Sequence, residues 1–173
     1  MWTPGKIKNG LGTQWLGQQA IHCFEVVGST NEEVHRLGRE GAPEGTILIA
    51  EAQTMGRGRL GRRWESLAGK GLYLSMLVRP RGAPEMLAGL TLATGVSVAS
   101  AIQATGLRPQ LKWPNDVLID RRKVGGILTE AVFSRGRIDF AVVGIGINVN
   151  MEAEEFPASV RDLATSLKAG LGH

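Results

Sequence analysis

Val117-Leu118-Ile119, then Val124-Gly125-Gly126-Ile127-Leu128-Thr129-Glu130-Ala131-Val132-Phe133, then the run from Ile138 to Val149 are three apolar, β-rich stretches. Only Asp120-Arg121-Arg122-Lys123 and the turn Ser134 to Arg137 separate them. Sequential strands joined by short turns read as a meander. Upstream, Lys112-Trp113-Pro114-Asn115-Asp116 demands a turn, since proline and the Asn-Asp pair both favour one. Before it, Glu85 to Ala104 has helical length and spacing, and Gly71 to Val78 and Thr46 to Ala50 read as strands. Ser29-Thr30-Asn31-Glu32 carries a capping-box pattern, predicting a short helix to about Leu37 that Gly38 stops. The tail from Met151 reads as a loop followed by a helix near Ser159 to Leu167. Helix, two strands, long helix and then consecutive strands is not a βαβ alternation. The expected class is α+β, with a mixed, largely antiparallel sheet flanked by helices.

The 173 residues are 43% hydrophobic and 21% charged, the balance of one ordinary globular domain with a core of its own. Cys23 is the single cysteine, which excludes an internal disulfide and a thiolate zinc site and fits a reducing, cytoplasmic compartment. Met1 to Gln19 lacks the apolar segment of a signal peptide. Leu87 to Leu107 is uncharged, but Thr91, Thr94, Ser97, Ser100 and Gln103 recur along it. With Leu92, Val96, Ala99 and Ile102 at helical spacing on the other side, it reads as an amphipathic core helix and not a membrane span.

The formal net charge is +4, and Gly56-Arg57-Gly58-Arg59-Leu60-Gly61-Arg62-Arg63 alone holds four arginines, the whole excess. That is a focused anion site. A protein tracking a nucleic-acid backbone spreads its cations with stacking residues between them, and aromatics are only 5% here. The loop satisfies G-x-G-x-x-G, yet it runs into Arg62-Arg63-Trp64 and a second glycine-rich stretch, so it does not open a Rossmann helix. What remains is physical: glycines let backbone N–H groups approach an anion, and guanidiniums bind phosphate or carboxylate bidentately. Gln53 before the loop and Trp64 after it add a bidentate amide and a π surface, which suits a small nucleotide ligand. Lys123 stands beside the backbone-exposing Gly125-Gly126, Asp116 is a carboxylate able to meet Mg²⁺, and Asn148 ends a glycine-broken strand whose bland reading is a bulge. The histidines, His22, His35 and His173, read as structural or surface residues.

Gly28-Ser29-Thr30-Asn31, Gln53-Thr54-Met55-Gly56-Arg57-Gly58-Arg59, Leu60-Gly61-Arg62-Arg63-Trp64, Lys112-Trp113-Pro114-Asn115-Asp116, Lys123-Val124-Gly125-Gly126-Ile127-Leu128 and Gly144-Ile145-Gly146-Ile147-Asn148 together resemble biotin protein ligases. The resemblance spans about Phe24 to Asn150, within a single catalytic domain covering residues 1–173. It implies a fold like that of class II aminoacyl-tRNA synthetases. It also implies biotin and ATP as substrates with Mg²⁺, and transfer of biotin to a lysine of a biotin carboxyl carrier protein. By position, Ser29, Thr30 and Gln53 resemble the contacts to the ureido ring. Gly56, Arg57 and Gly126 resemble the rest of the biotin site, with Arg57 toward the valerate carboxylate. Arg59 and Arg62 resemble phosphate ligands, Trp64 the residue packed on the adenylate, and Lys123 the lysine at the reacting carboxyl and α-phosphate. Asn115 and Asn148 resemble nucleotide-site residues, Lys112 lines the same region, and Asp116 is the expected metal ligand.

The family's usual C-terminal barrel and the helix-turn-helix module of its repressor members find no counterpart in the sequence, so DNA binding is not expected; a homodimer is left open. A lipoate-type ligase, or a non-catalytic anion- or RNA-binding module on the same scaffold, is the alternative reading.

Overall fold

The computed structural model describes residues 2–81 and 83–172, so His173 lies outside the described residues. Among the described residues four α-helices and seven strands follow in chain order: α1 (Pro4–Gly10), β1 (Ile21–Val27), α2 (Thr30–Arg39), β2 (Ile47–Gln53), β3 (Gly71–Val78), α3 (Met86–Gln103), β4 (Gln110–Lys112), β5 (Asp116–Ile119), β6 (Arg122–Ser134), β7 (Arg137–Asn148) and α4 (Leu167–Leu171). The strands form one sheet in the order β1-β2-β3-β7-β6-β5-β4. Only the β1–β2 pair is parallel. The mixed, largely antiparallel α+β architecture is the expected one, and the β5-β6-β7 meander forms half the sheet.

Alternation along β7 divides the core in two. Phe140 and Val142 face α2 and pack with Val34, Leu48 and Leu77, all fully buried. Ala141, Val143 and Ile147 face the other way, toward Val98 and Ile102 of α3. Burying each large apolar side chain contributes about 1.5–3 kcal/mol, so the two layers hold the central strands from both sides.

Several expectations change. α2 runs past Gly38, because Gly38 is a packing residue and not a stop: a β-carbon there would stand 2.6 Å from the Phe140 ring. Ser29 is its N-cap by backbone, but the hydroxyl caps no N–H, so the capping box is not formed. α3 has the length and apolarity of a membrane span, and it packs on β4, β5 and β6. It buries Thr94, Gly95, Val98 and Ile102, leaving Leu92 and Val96 outside. Thr94 can be buried because its hydroxyl donates to the Leu90 carbonyl at 2.8 Å. The helix expected near 159–167 is instead turn and bridge, tied by Lys123 N to Leu163 O (2.7 Å) and Thr165 N to Lys123 O (2.9 Å). Those main-chain bonds to a strand replace the intrahelical ones, and α4 begins only at Leu167. The strands have no bulge at Gly144 or Gly146, the register shifts lying at Val117/Leu118 and Val132/Phe133.

Candidate functional site

The cleft opens where the α2 face of the sheet runs out of side chains. Along β7 that face reads Phe140, Val142, Gly144, Gly146; the register sets Val132 opposite Phe140, Glu130 opposite Val142, Leu128 opposite Gly144 and Gly126 opposite Gly146. On β3 the partners are Leu77, Ser75 and Tyr73. The apolar layer therefore gives way to a polar rung and then to bare backbone. Missing β-carbons leave a trough, and two side chains reach into it. Asn31 fills the space over Gly144, and the Trp64 indole lies over Gly146, where a β-carbon would stand 2.6 Å from Cε2 and 2.7 Å from Nε1.

The N-terminus of α2 and the end of β2 form one wall. Thr30 donates to Gln53 Oε1 from its backbone N (2.8 Å) and its hydroxyl (3.1 Å), and Gln53 Nε2 donates to Ser66 Oγ (2.8 Å). Ser75 Oγ donates to Asn31 Oδ1 (2.7 Å) and lies 2.8 Å from the Thr30 hydroxyl. Ser29, Thr30 and Asn31 are all buried, and the hydrogen bonds of Thr30 and Asn31 fix those two before any ligand arrives.

The arginine loop folds back as a small hairpin, with Gly58 N bonded to Arg62 O (2.7 Å), Trp64 N to Gly56 O (2.9 Å), and Arg57 bridged to Arg63. Gly56 must lack a side chain, since a β-carbon would come within 2.7 Å of Ser66 Oγ. At the tip Leu60 and Gly61 both have left-handed φ, 58° and 72°, which turns Arg59 inward. Arg59 Nη1 donates to Asn115 Oδ1 (3.1 Å), and Asn115 Nδ2 donates to Ile127 O (2.9 Å). Arg57 reaches Glu130 (2.8 Å) and Glu32 (3.6 Å). Lys123 Nζ pairs with Asp116 Oδ1 at 2.6 Å and stands 5.3 Å from the centroid of the Trp64 ring.

The structure thus brings Ser29, Thr30, Gln53, Arg57, Arg59, Trp64, Asn115, Lys123 and Gly126 to one cleft. The other expected residues do not line that cleft themselves. Gly56 is buried behind it, and Arg62 is exposed on the turn. Lys112 and Asp116 line an adjoining, mainly apolar hollow at the cis Trp113–Pro114 turn that shares Asn115 with the cleft, and the Asp116 carboxylate reaches the cleft through Lys123. Asn148 is buried, with Nδ2 given to Thr165 O at 3.0 Å, a structural tie and not an open phosphate donor. Among the described residues no three His, Cys, Asp or Glu side chains gather as a metal cage, and Asp116, the expected ligand, is joined to an ammonium. The residues do not fit a resident metal.

Sequence reasoning gave no contact to Asn31, Glu130, Gly144 or Gly146. The even spacing of the two glycines and Glu130 within their strands was the available signal; the register needed to align them was not. Two titratable groups near the site are perturbed by burial. His35, packed on Phe140 and 3.8 Å from Glu130, is held below the usual histidine range by desolvation. Tyr73 beneath the trough is pushed up to about 12, first by burial and then by the charge of Glu65.

Hydrogen-bonding groups at one end, Arg57, Arg59 and Lys123 at the other and the Trp64 indole line one concave site, the form of a small-molecule binding domain. The chain belongs to the biotin/lipoate A/B protein ligase family, whose pattern it matches over residues 23–148. It is 41% identical over 98% of its length to the bifunctional ligase/repressor BirA of Bacillus spizizenii, covering 54% of that protein. It is 39% identical over 84% of its length to the biotin--[acetyl-CoA-carboxylase] ligase of Mycobacterium tuberculosis, again covering 54%. Among solved structures, the biotin protein ligase of Aquifex aeolicus in complex with biotin and ATP superposes with a TM-score of 0.73 at 40% identity, over 90% of this chain and 62% of that one. The Leishmania major biotin protein ligase in complex with biotinyl-5-AMP gives 0.68 at 29%, over 87% and 64%. The chain spans about half the length of these curated relatives.

Proposed function

We propose that this chain carries the catalytic site of a biotin protein ligase, activating biotin with ATP and passing it to a lysine of a biotin carboxyl carrier protein. The observation that carries the reading is the two-ended cleft: Ser29, Thr30 and Gln53 at one end suit a neutral cyclic urea, and Arg57, Arg59 and Lys123 at the other suit a carboxylate meeting a phosphate. Those two anions repel, and fixed cations at the point of contact lower the cost of bringing them together. A biotin carboxylate oxygen attacks the α-phosphorus of ATP, the bond to the β-phosphate bridging oxygen breaks, and pyrophosphate leaves. The acceptor amine then adds to the acyl carbon of biotinyl-5′-AMP, loses a proton, and AMP departs. Arg57 faces the carboxylate, while Arg59 and Lys123 face the phosphate. Trp64, with Nε1 buried and unpartnered, offers the adenylate a packing surface and a donor. Magnesium belongs to this reading as a companion of the ATP phosphates, which is how that ion usually binds.

Biotin-dependent ATP–pyrophosphate exchange tests the first half-reaction. Arg59→Ala should raise the KM for ATP by about tenfold or more, the scale for a lost charge-assisted bond. Lys123→Ala should reduce the exchange rate by about 100-fold with a smaller change in biotin binding. Full exchange in both variants would refute the assigned roles, and no exchange by the parent chain would refute the reading. Lipoate offered in parallel separates the two acids that the family name covers.

A further inference from the structure

We propose that Glu130 is a positioning residue of this site: its carboxylate holds Arg57 over the trough, and Asn31 fixes that carboxylate to the buried start of α2. The substrate named here rests on the biotin ligase reading; the tie itself does not. Glu130 sits on the cleft face of β6 between Leu128 and Val132, only 24% exposed at its side chain, where an unpaired carboxylate would be costly. Both oxygens are used. Oε1 accepts from Arg57 Nη2 at 2.8 Å and Oε2 accepts from Asn31 Nδ2 at 2.8 Å. His35 Nε2 stands 3.8 Å from Oε2, too far for a hydrogen bond.

Asn31 is an anchor that cannot swing. Its oxygen accepts from Ser75, its amide nitrogen also donates to Leu128 O at 3.3 Å, and Gly144 leaves it the space it occupies. A chain of polar contacts therefore runs from Gln53 to Thr30 through the Thr30 backbone N, from Thr30 Oγ1 to Ser75 Oγ at 2.8 Å, and on through Asn31 and Glu130 to Arg57. Arg57 itself is held by its backbone in the hairpin, but its long side chain is 43% exposed and needs a partner to keep one direction. Glu32, the other acid in reach, is 3.6 Å away and half exposed. Glu130 is the carboxylate that gives the guanidinium one direction and leaves its remaining N–H groups for an incoming acid.

Glu130→Gln is the isosteric test, because an amide oxygen can still accept from Asn31 while Arg57 loses its charged partner. In the ligand-free full chain, trypsin should cut within residues 57–63 several-fold faster than in the parent. In exchange assays the KM for biotin should rise about tenfold, the scale of ordering one long side chain, with kcat within about twofold, since a contact kept from ground state to transition state moves KM alone. In an Arg57→Ala background the same change should move KM by less than about twofold, and Glu32→Gln should behave as the parent in both assays. Circular dichroism checks the fold, and Glu130→Asp replaces a variant that fails to fold. Unchanged KM with unchanged cleavage, or an equal KM rise without Arg57, overturns the proposal. A parent chain without exchange sinks the ligase reading, and the cleavage rates then decide the tie by themselves.

Discussion

Replacing Gly144 by alanine should cost this protein a large share of its stability, through a single neighbour. A β-carbon at Gly144 would overlap Asn31 Oδ1 outright and stand 2.9 Å from Cγ and 3.1 Å from Nδ2. Asn31 is 4% exposed and bonded to Ser75, Leu128 O and Glu130, so it has no empty rotamer to enter without breaking those bonds. Two buried hydrogen bonds lost or bent cost about 1 kcal/mol each, and forcing a methyl into a filled space costs about 1–3 kcal/mol. Removing a glycine from the unfolded chain returns up to about 1 kcal/mol. The net loss is about 2–4 kcal/mol, against about 5–15 kcal/mol for a typical domain. Urea unfolding followed by circular dichroism should show the midpoint falling by about 1–2 M. The cause is tested by a double-mutant cycle: in an Asn31→Ala background, Gly144→Ala should cost under about 1 kcal/mol, because the methyl then enters the space the amide left. Equal costs in both backgrounds would show that the clash is not with Asn31 and would refute the reasoning.

Two titrations follow from burial. Tyr73 is the only tyrosine in the chain, so absorbance at 295 nm reports it alone; its midpoint should lie near 12 in the folded protein and near the ordinary phenol value of about 10 in urea. The fold favours the protonated phenol, so this contribution to stability is complete below the unfolded value and is lost as pH rises toward the folded one; a native midpoint at the unfolded value would contradict the buried placement. His35 is the opposite case, a base whose folded value is lowered by desolvation. Its contribution is present above about 6.5 and is lost as pH falls through the folded value. Urea midpoints from pH 8 to pH 5 should therefore decline less steeply in His35→Gln, and an NMR-measured value above the free-histidine range would contradict this.

The parts of the fold that sequence made legible are those whose signal is local. β3 falls on the expected residues and α3 within one residue at each end, because a long run of one period needs no partner to be recognised. The strands of the meander were legible for the same reason. β1 and the three-residue β4 were not, since the first mixes His, Cys, Phe and Glu without alternation and the second is exposed throughout. The face of α3 was misjudged because the helix is apolar nearly all round, and a threonine satisfied by its own helix packs inward as readily as a leucine. At the site, Thr30, Gln53, Arg57, Arg59 and Lys123 announce themselves by chemistry. Lys112, Arg62 and Asn148 have the same chemistry but no place in the cleft. Their exclusion depends on which way a turn faces and on what the chain beyond Met151 covers, and a motif records neither.

What creates the cleft is the absence of side chains, and absence acquires meaning only through register. Gly126 and Gly146 are adjacent across β6 and β7, and Gly144 follows two residues away on the same face. Taken singly each glycine is a weak point in a strand; aligned, they remove a patch of the layer that Phe140, Val142 and Leu77 build further along. The same strands thus supply the core at one end and the floor of the site at the other, with Ser75, Asn31 and Glu130 as the rung between. A change in that rung is felt in both directions. This is why Gly144→Ala should lower stability and disturb Arg57 together, whereas Arg59→Ala at the exposed loop tip should alter nucleotide use and leave the urea midpoint near that of the parent.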